Sequence, residues 1–459
     1  MIDGGKSHGS FRDPSGFVFE RDGQIYRQIN EGFEADIRLL IDSGLHDELI
    51  GAGLVVGFAE VRLDTAFSEK ASMVIRPERI DVISYPFEWC FSQLKDAALL
   101  TLEIMKRVLA KDMILKDASA YNVQFQQGSP IFIDTLSFEK YEEGEPWIAY
   151  KQFCQHFLAP LALMAYVDIR LSSLFQTNLD GIPLDLAAKL LPTKTKFSPG
   201  LMGHVHLHSK AQAQKSPQSG RDAKVSKTGL LALIDSLRGT ILNLHWKPIG
   251  TEWGEYYSET NYSPESFSNK GQVVQGFLAL LPTTIKTCCD LGANNGEFSR
   301  LAIERGLNTI ALDVDPAAVE KCYLSAKREG YKLLMPLMQD LRNPTPDYGW
   351  GGRERDGVGR RVKADVVLAL ALIHHLAIGN NVPLGMIAEY FATFGEYLIV
   401  EFVPKEDSQI QRMLVARKDI FTDYNQDGFE SAFSAYFDVL AKEPVSGTAR
   451  IIYFMKRIG

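Results

Sequence analysis

The sequence is poor in cysteine, and none of its cysteines is spaced for a metal or redox motif. The five thiols are an odd number and form no Cys-x-x-Cys pair, which argues against a disulfide-stapled secreted scaffold. We expect free thiols that are buried as small apolar side chains. The sequence predicts no metal site.

The chain also lacks a long apolar run. Its longest runs, 157–167 and 366–373, are shorter than the roughly 20 residues that a membrane-spanning helix needs. The first 16 residues are rich in glycine, serine and charge and have no apolar core of a secretory signal. These absences predict a cytoplasmic protein without membrane insertion.

Net positive charge is missing as well. The 49 lysines and arginines stand against 57 acids, for a net charge of −8, which argues against a protein that coats nucleic acid through its overall charge. The hydrophobic fraction of 46% and charged fraction of 23% are those of ordinary globular domains. Basic residues concentrate between 193 and 227, so RNA binding through this stretch stays open as an alternative.

Composition divides the chain into four parts. They are a flexible tail (1–16), an N-terminal α+β accessory domain (17–192), a basic flexible linker (193–228) and a C-terminal domain (229–459). The linker contains the alternation His204-x-His206-x-His208. No cysteine or carboxylate lies close to it in the sequence, so a solvated loop is favoured over a metal site.

Beyond the linker, strand-like apolar runs alternate with helical patterns. The runs are 286–291, 309–312, 332–338, 364–370 and 397–402. Such alternation needs crossover connections and predicts an α/β fold with a doubly wound, Rossmann-like, mostly parallel sheet. Ligands of such sheets bind at the carboxyl ends of the strands.

Glycines and carboxylates stand at three of these strand ends. The first strand runs into DLGANNG at 290–296, where glycine lets a ligand approach the backbone closely. The second ends at Asp313, whose carboxylate can accept both hydroxyls of a ribose, whereas Asp315 before Pro316 suits a helix N-cap. The third ends at Asp340, which would reach the edge of an adenine. Three strand ends thus converge on one adenosine.

This constellation resembles the class I S-adenosylmethionine-dependent methyltransferases over roughly Trp246 to Gly459. The resemblance implies S-adenosylmethionine as the cofactor. Asn294 stands where that family has its middle glycine, and the GxGxxG spacing of a dehydrogenase is absent. The implied cofactor-binding residues are Asp290, Gly292, Asn294, Gly296, Asp313, Asp340 and Ala369.

Two adjacent histidines, His374 and His375, follow the fourth strand. Methyl transfer is an in-line displacement, and a hydroxyl acceptor must also lose a proton, for which imidazole is suited near neutral pH. Glu401, at the end of the fifth strand, is the third catalytic candidate and would orient the acceptor or a histidine. Helix capping, packing or structural pairing is the open alternative for each of the three.

Two further segments flank this constellation. The aromatic and polar stretch from Trp253 through Tyr256 and Tyr257 to Lys270 corresponds to a segment that folds over the cofactor in the resembling family, or else packs on the sheet as a surface element. A glycine- and arginine-rich insert between Asn343 and Ala364 predicts a solvated loop near the rim of the site.

The N-terminal domain carries a second pattern. Asp117 and Asn122 follow a long helical pattern (93–110), and Asp134 follows a hairpin. This spacing resembles the loops of protein kinase-like and aminoglycoside phosphotransferase-like folds, which implies Asp117 as a base and Asn122 and Asp134 as magnesium ligands. There is no glycine-rich loop, and Arg27 is the nearest candidate for the strand lysine. An intact kinase is therefore not expected; the open alternatives are a degenerate kinase-like fold and a helix-and-hairpin module whose Asp117 and Asn122 stabilise a turn.

Across the chain, four short patterns resemble a bacterial group related to a nodulation methyltransferase. They are SYPFEW at 84–89, LKD at 115–117, IHHL at 373–376 and FVPK at 402–405. The resulting prediction is an S-adenosylmethionine-dependent methyltransferase with a small-molecule or glycan acceptor. The alternatives are an RNA methyltransferase, a non-catalytic module that binds S-adenosylmethionine, and an N-terminal phosphotransferase.

Overall fold

The computed structural model describes residues 5–210, 224–251, 254, 262–415 and 418–459. The chain forms two compact units. The N-terminal unit comprises Met1–Trp246 together with Asp347–Arg355, and the C-terminal unit comprises Lys247–Pro346 together with Asp356–Gly459.

The N-terminal unit begins with a small antiparallel sheet. Its strands are β1 (Gly16–Arg21), β2 (Gln24–Asn30), β3 (Phe58–Val61) and β4 (Ala71–Pro77), in the order β1-β2-β4-β3. Two antiparallel strand pairs follow. The hairpin of β6 (Val123–Gln126) and β7 (Ser129–Phe132) lies in the chain between the paired strands β5 (Met113–Leu115) and β8 (Phe138–Lys140). The predicted α+β character of this part is confirmed.

Helices make up most of the remainder of this unit. They are α1 (Glu34–Asp42), α2 (Leu45–Gly51), α3 (Phe91–Ala110), α4 (Tyr150–Phe153), α5 (Ala159–Tyr166), α6 (Leu174–Thr177), α7 (Leu184–Leu190), α8 (Pro199–Leu201) and α9 (Lys227–Leu242). The long α3 begins where Gln93 reaches back to accept a hydrogen bond from the backbone N–H of Cys90, 3.0 Å away, which satisfies a donor that the helix itself leaves free.

The structure differs from the predicted linker. Residues 193–210 lie in short helices, and His204 is buried with its ring nitrogens 2.7 Å from the Tyr150 hydroxyl and 2.9 Å from Ser236. His206 bonds Thr195 at 2.9 Å, so the two histidines serve separate partners rather than one metal ion. Helix α9 also belongs to the N-terminal unit, which places the division between units at 246 instead of 228. Residues 211–223 of the predicted linker lie outside the described residues.

The glycine- and arginine-rich insert is solvated at its tip but buried at Glu354. Residues 350–353 are exposed, but Glu354 is buried and accepts two hydrogen bonds from the Arg12 guanidinium, both of 2.7 Å. Tyr348 and Arg355 exchange backbone hydrogen bonds of 3.0 Å. The composition suggested a loop because it is polar; the base of the insert is buried because its carboxylate is paired inside the N-terminal unit.

The C-terminal unit is built on a seven-stranded sheet. Its strands are β9 (Thr287–Leu291), β10 (Asn308–Asp313), β11 (Leu334–Met338), β12 (Ala364–Ala369), β13 (Gly395–Phe402), β14 (Phe437–Pro444) and β15 (Ile451–Arg457). The order is β11-β10-β9-β12-β13-β15-β14; the first five are parallel, and β15 and β14 run antiparallel to their neighbours. The predicted doubly wound, mostly parallel sheet is confirmed. From β9 the chain adds β10 and β11 on one side of the sheet, and then β12 and β13 on the other. The strand order therefore switches between β9 and β12, and such sheets bind ligands at that point.

Helices connect these strands. They are α10 (Pro264–Leu280), α11 (Glu297–Glu304), α12 (Pro316–Glu329), α13 (Val358–Arg361), α14 (Leu384–Ala392), α15 (Ser408–Val415) and α16 (Gln426–Phe433). Phe429 and Phe433 on α16 and Phe437 at the start of β14 are all buried. Among the described residues, no helix is both long enough and apolar enough to cross a membrane.

All five cysteines are free and buried. Burial raises the pKa of the Cys322 thiol to about 12, so this thiol is neutral and packs as an apolar side chain. The predicted role of the cysteines is confirmed.

Candidate active site at the strand ends

The glycine turn after β9 is held by its own conformation and by its neighbours. Gly292 and Gly296 have φ of +74° and +81°, which glycine adopts without strain. A Cβ on Gly292 would lie 3.2 Å from a methyl carbon of Leu372, and one on Gly296 would lie 2.6 Å from Cys322 Sγ. Packing within the unit therefore requires these glycines, in addition to the close approach of a ligand that the sequence suggests.

Asp313 joins this turn to the end of β10. The Asn294 N–H donates to Oδ2 and the Asp315 N–H donates to Oδ1, each at 2.8 Å. Burial raises the pKa of Asp313 to about 6. A carboxylate offers about four acceptor positions in all, so Asp313 keeps capacity for a hydroxyl donor besides these backbone contacts. Asp315 caps α12, as predicted, by accepting from the N–H groups of Ala317 and Ala318.

Asp290 points to a different partner. Its Oδ2 accepts a hydrogen bond of 2.6 Å from the Ser299 hydroxyl on α11, and the side chain is 2% exposed. Burial, followed by the nearby charge of Asp313, raises its pKa to about 7. The described contact of Asp290 therefore ties the turn to α11.

Asp340 and Ala369 lie at the ends of β11 and β12. Arg342 binds Asp340 through two hydrogen bonds of 2.9 Å, while Gln339 beside it accepts from Thr345 at 3.1 Å. Ala369 is the fully buried last residue of β12. The structure thus brings the ends of β9 to β12 to one edge, as the sequence predicts.

The two histidines are not equivalent. The His374 side chain is 2% exposed, and its buried Nδ1 has no hydrogen-bond partner among the described residues. His375 is half-buried, and the ring centroids of the pair lie 4.1 Å apart. Burial lowers the pKa of His375 to about 4, with Arg450 adding to the shift. Burial also holds the pKa of His374 well below its ordinary value, so both rings are neutral at pH 7.

Glu401 is fully buried and has partners from three parts of the unit. Lys270 donates to it at 2.6 Å, the Ala371 N–H at 2.7 Å, and the Tyr262 hydroxyl also donates to it. Burial opposes ionisation, but Lys270 and Arg450 outweigh it and hold the pKa of Glu401 below its ordinary value.

The sequence named Lys270 only as the end of the aromatic stretch, and it gave no indication of Arg450 or of the burial of either charge. Both are almost fully buried, and a lone charged residue in a helix or before a strand carries no local signal of burial. Of the aromatic stretch upstream, Trp253, Tyr256 and Tyr257 lie outside the described residues.

The residues of the predicted kinase-like pattern in the N-terminal unit make contacts with their neighbours in the fold. Arg27 on β2 pairs with Asp134, and the Ser137 hydroxyl donates to the same carboxylate at 2.5 Å and accepts from the Asn122 amide at 3.2 Å. Asp117 accepts a hydrogen bond of 2.8 Å from the Ser119 N–H. In the described part of the chain, no three metal-ligating side chains of His, Cys, Asp or Glu are grouped.

Comparison with known proteins gives one extensive match. No protein-family model matches the chain. The nodulation protein NoeA of Rhizobium meliloti (strain 1021) is 38% identical over 464 residues, which span 99% of this chain and 96% of that protein.

Solved structures resemble the chain more distantly. WbdD, solved with the kinase inhibitor LY294002, has 13% identity and a TM-score of 0.33 over 44% of this chain and 43% of its own. Magnesium protoporphyrin IX methyltransferase (ChlM) of Synechocystis PCC 6803, solved with bound SAM, has 17% identity and a TM-score of 0.32 over 45% of this chain and 89% of its own. At these TM-scores the similarity does not define a function for this chain.

The 38% identity with NoeA extends over nearly the whole length of both chains, and this establishes family membership. The strand order, with an antiparallel β15 beside β13, is that of the class I methyltransferase fold. The chain belongs to the family of the nodulation protein NoeA, and its C-terminal unit has the class I S-adenosylmethionine-dependent methyltransferase fold.

Proposed function

We propose that the C-terminal unit binds S-adenosylmethionine at the carboxyl ends of β9 to β12 and transfers its methyl group to a small-molecule or glycan acceptor. The observation that carries the proposal is Asp313, a buried carboxylate bonded through Asn294 to the glycine turn of β9. A buried carboxylate at that place, with acceptor capacity left, suits the hydroxyls of a ribose.

A second observation fits the same cofactor. The Asn295 Oδ1 is buried and has no hydrogen-bond partner among the described residues. Buried polar atoms are normally paired, so this acceptor suits a donor group of a ligand lying along the turn. Asp340, held by Arg342, remains the proposed partner of the adenine edge.

When bound, the cofactor supplies a methyl group on a positively charged sulfur. The proposed contribution of the chain is to hold the acceptor in line with that methyl group and to receive the proton that a hydroxyl acceptor loses. His375 is the better placed of the two histidines for this, because it is partly exposed, whereas His374 is buried. We assign His374 to packing beside it.

The test is calorimetric titration of the full chain with S-adenosylmethionine. Asp313→Asn keeps the size of the side chain but removes one acceptor and the charge. A hydrogen bond to a charged group contributes about 1.5–3 kcal/mol, so we expect affinity to fall about 10- to 100-fold. Asp438→Asn, at an exposed position in β14, is the matched control and should leave affinity unchanged. Absence of binding by the unaltered chain, or equal binding by both variants, would refute the proposal.

His375→Gln separates catalysis from mere binding. If His375 accepts the proton, this variant keeps its affinity for S-adenosylmethionine and loses methyl transfer to a hydroxyl acceptor, measured with cofactor carrying a radiolabelled methyl group. Equal transfer by the variant and the unaltered chain would remove His375 from the mechanism.

A further inference from the structure

A buried polar cluster lies beside the proposed methyl-transfer site and is not used by the reaction as proposed. We define the Glu401 cluster as Tyr262, Lys270, Glu401, Asp407 and Arg450. Tyr262 lies just before α10 and Lys270 lies within it. Glu401 is near the end of β13, and Asp407 and Arg450 directly precede α15 and β15.

The cluster pairs two cations with two carboxylates. Lys270 Nζ lies 2.6 Å from Glu401 Oε2, and Arg450 Nε lies 2.7 Å from Asp407 Oδ2. Arg450 also donates to the Tyr262 hydroxyl at 2.6 Å and lies 3.5 Å from Glu401. Because replacing such buried pairs with apolar residues is often neutral or stabilising, stability alone is a weak reason for having them here.

One contact of the cluster reaches outside it. Glu401 Oε2 accepts the backbone N–H of Ala371 at 2.7 Å. Ala371 has φ of +52°, in the left-handed region that side chains other than glycine rarely adopt. A non-glycine residue keeps such a conformation when its surroundings impose it. The hydrogen bond that Ala371 donates to Glu401 is one such constraint.

Ala371 begins the 371–375 turn, in which residues 373–375, both histidines included, form the start of a helical segment that continues to Gly379. Within this turn, Leu372 packs against Gly292, since a Cβ there would lie 3.2 Å from a Leu372 methyl carbon. The conformation of Ala371 therefore sets the contact between Leu372 and the glycine turn after β9. It also sets the direction in which His374 and His375 follow β12.

We propose that Glu401 is a positioning residue. It uses Lys270 as its counter-ion and holds Ala371, so that the 371–375 turn places the two histidines beside the glycine turn after β9. This inference rests on the proposed function for its catalytic consequence. Of the two roles that the sequence suggested for Glu401, it keeps the orienting of a histidine and sets aside the orienting of the acceptor, because the carboxylate is fully buried and its described contacts are to the chain itself.

The test compares two variants that each remove one carboxylate charge from the cluster. Glu401→Gln alters the acceptor of the Ala371 N–H, whereas Asp407→Asn leaves that acceptor in place. The full chain is labelled with ¹⁵N-histidine, and the ring signals of His374 and His375 are assigned with His374→Gln and His375→Gln. We expect Glu401→Gln to shift both ring signals and Asp407→Asn to leave them in place.

The catalytic consequence is read separately. We expect Glu401→Gln to slow methyl transfer more than 10-fold while the affinity for S-adenosylmethionine changes less than 3-fold. If the variant does not fold, Lys270→Met combined with Glu401→Gln removes the unpaired cation and is measured instead. Unchanged histidine signals in the Glu401 variants, or equal shifts with Asp407→Asn, would overturn the inference. If the unaltered chain binds no S-adenosylmethionine, the proposed function fails while the histidine signals still report on the placement.

Discussion

Gly296 shows how a single residue serves both conformation and packing. A Cβ at Gly296 would stand 2.6 Å from Cys322 Sγ in a residue with φ of +81°, whereas Gly306 has a similar φ of +84° and nothing within 4 Å. Gly306→Ala therefore meets only the backbone strain, and Gly296→Ala meets strain and collision together.

We predict that Gly296→Ala destabilises the chain by at least about 1 kcal/mol more than Gly306→Ala, the usual scale of overpacking. Urea unfolding of the two variants measures the difference. Adding Cys322→Ala should recover part of the loss in Gly296→Ala and none in Gly306→Ala. Equal losses in the two glycine variants would show that the collision is relieved at no cost.

Asp313 makes a prediction about pH. Burial raises its pKa to about 6, so protonation stabilises the folded chain as the pH falls from about 6 towards the ordinary value near 3.8. Ribose hydroxyls donate to the ionised form. Cofactor affinity therefore moves the opposite way and decreases as the pH falls through 6.

We expect the dissociation constant of S-adenosylmethionine to rise about tenfold between pH 7.5 and pH 5, the reduction that loss of one required ionised group with that pKa produces. Asp290, whose pKa is raised to about 7, titrates in the same window, so Asp313→Asn is the control. The variant should bind weakly at both pH values. A pH dependence that survives in Asp313→Asn would assign the effect to another group.

At the scale of elements, the insert between β11 and β12 illustrates how a polar segment becomes buried. Its base brings Tyr348 to 5.5 Å from the rings of both Tyr85 and Phe87, and the Glu354 side chain is 1% exposed beneath Arg12. Arg12 is itself 57% exposed, so the pair lies at the surface on one side.

We predict that Glu354→Gln destabilises this insert by about 1.5–3 kcal/mol, the range for hydrogen bonds to a charged group. Hydrogen exchange of peptides covering 347–355 should rise. Asp356→Asn is the control, since Asp356 is exposed and lies 3.7 Å from Arg360 in a surface pair, which contributes about 0–1 kcal/mol. No change in exchange for Glu354→Gln would mean that ring packing alone holds the insert.

At the scale of the whole molecule, ligand linkage distinguishes the activities open to the two units. A ligand that binds only the folded state at 100 times its dissociation constant stabilises it by about 2.7 kcal/mol. We expect S-adenosylmethionine to reduce hydrogen exchange in peptides covering 287–315 and 364–376, and ATP with magnesium to leave peptides covering 117–137 unchanged, because Asp134 is already paired with Arg27. Protection of 117–137 by ATP would instead support the phosphotransferase alternative.

RNA binding is tested at the same scale. A chain with a net charge of −8 that acted on RNA through a basic segment would show an affinity that falls steeply with salt. We expect no such salt-dependent binding to a single-stranded RNA by the full chain, measured by fluorescence anisotropy between low and physiological salt.

Local patterns predicted much of the C-terminal unit. The predicted strand 364–370 is observed as Ala364–Ala369, and Asp315 caps α12 as its position before proline indicated. These features depend on neighbours within a few residues, so the sequence reveals them. The convergence of strand ends follows as well, because parallel strands connected by helices present their carboxyl ends at one edge.

The sequence by itself thus determined the α/β alternation, the glycine turn and the carboxylate of Asp313. Only the tertiary structure decided which charges are buried. Lys270 and Glu401 are 131 residues apart, and Arg12 and Glu354 are 342 apart. A buried charge is tolerated when a partner compensates for its lost hydration, and here the partner is brought by distant parts of the fold, which no local pattern in the chain records.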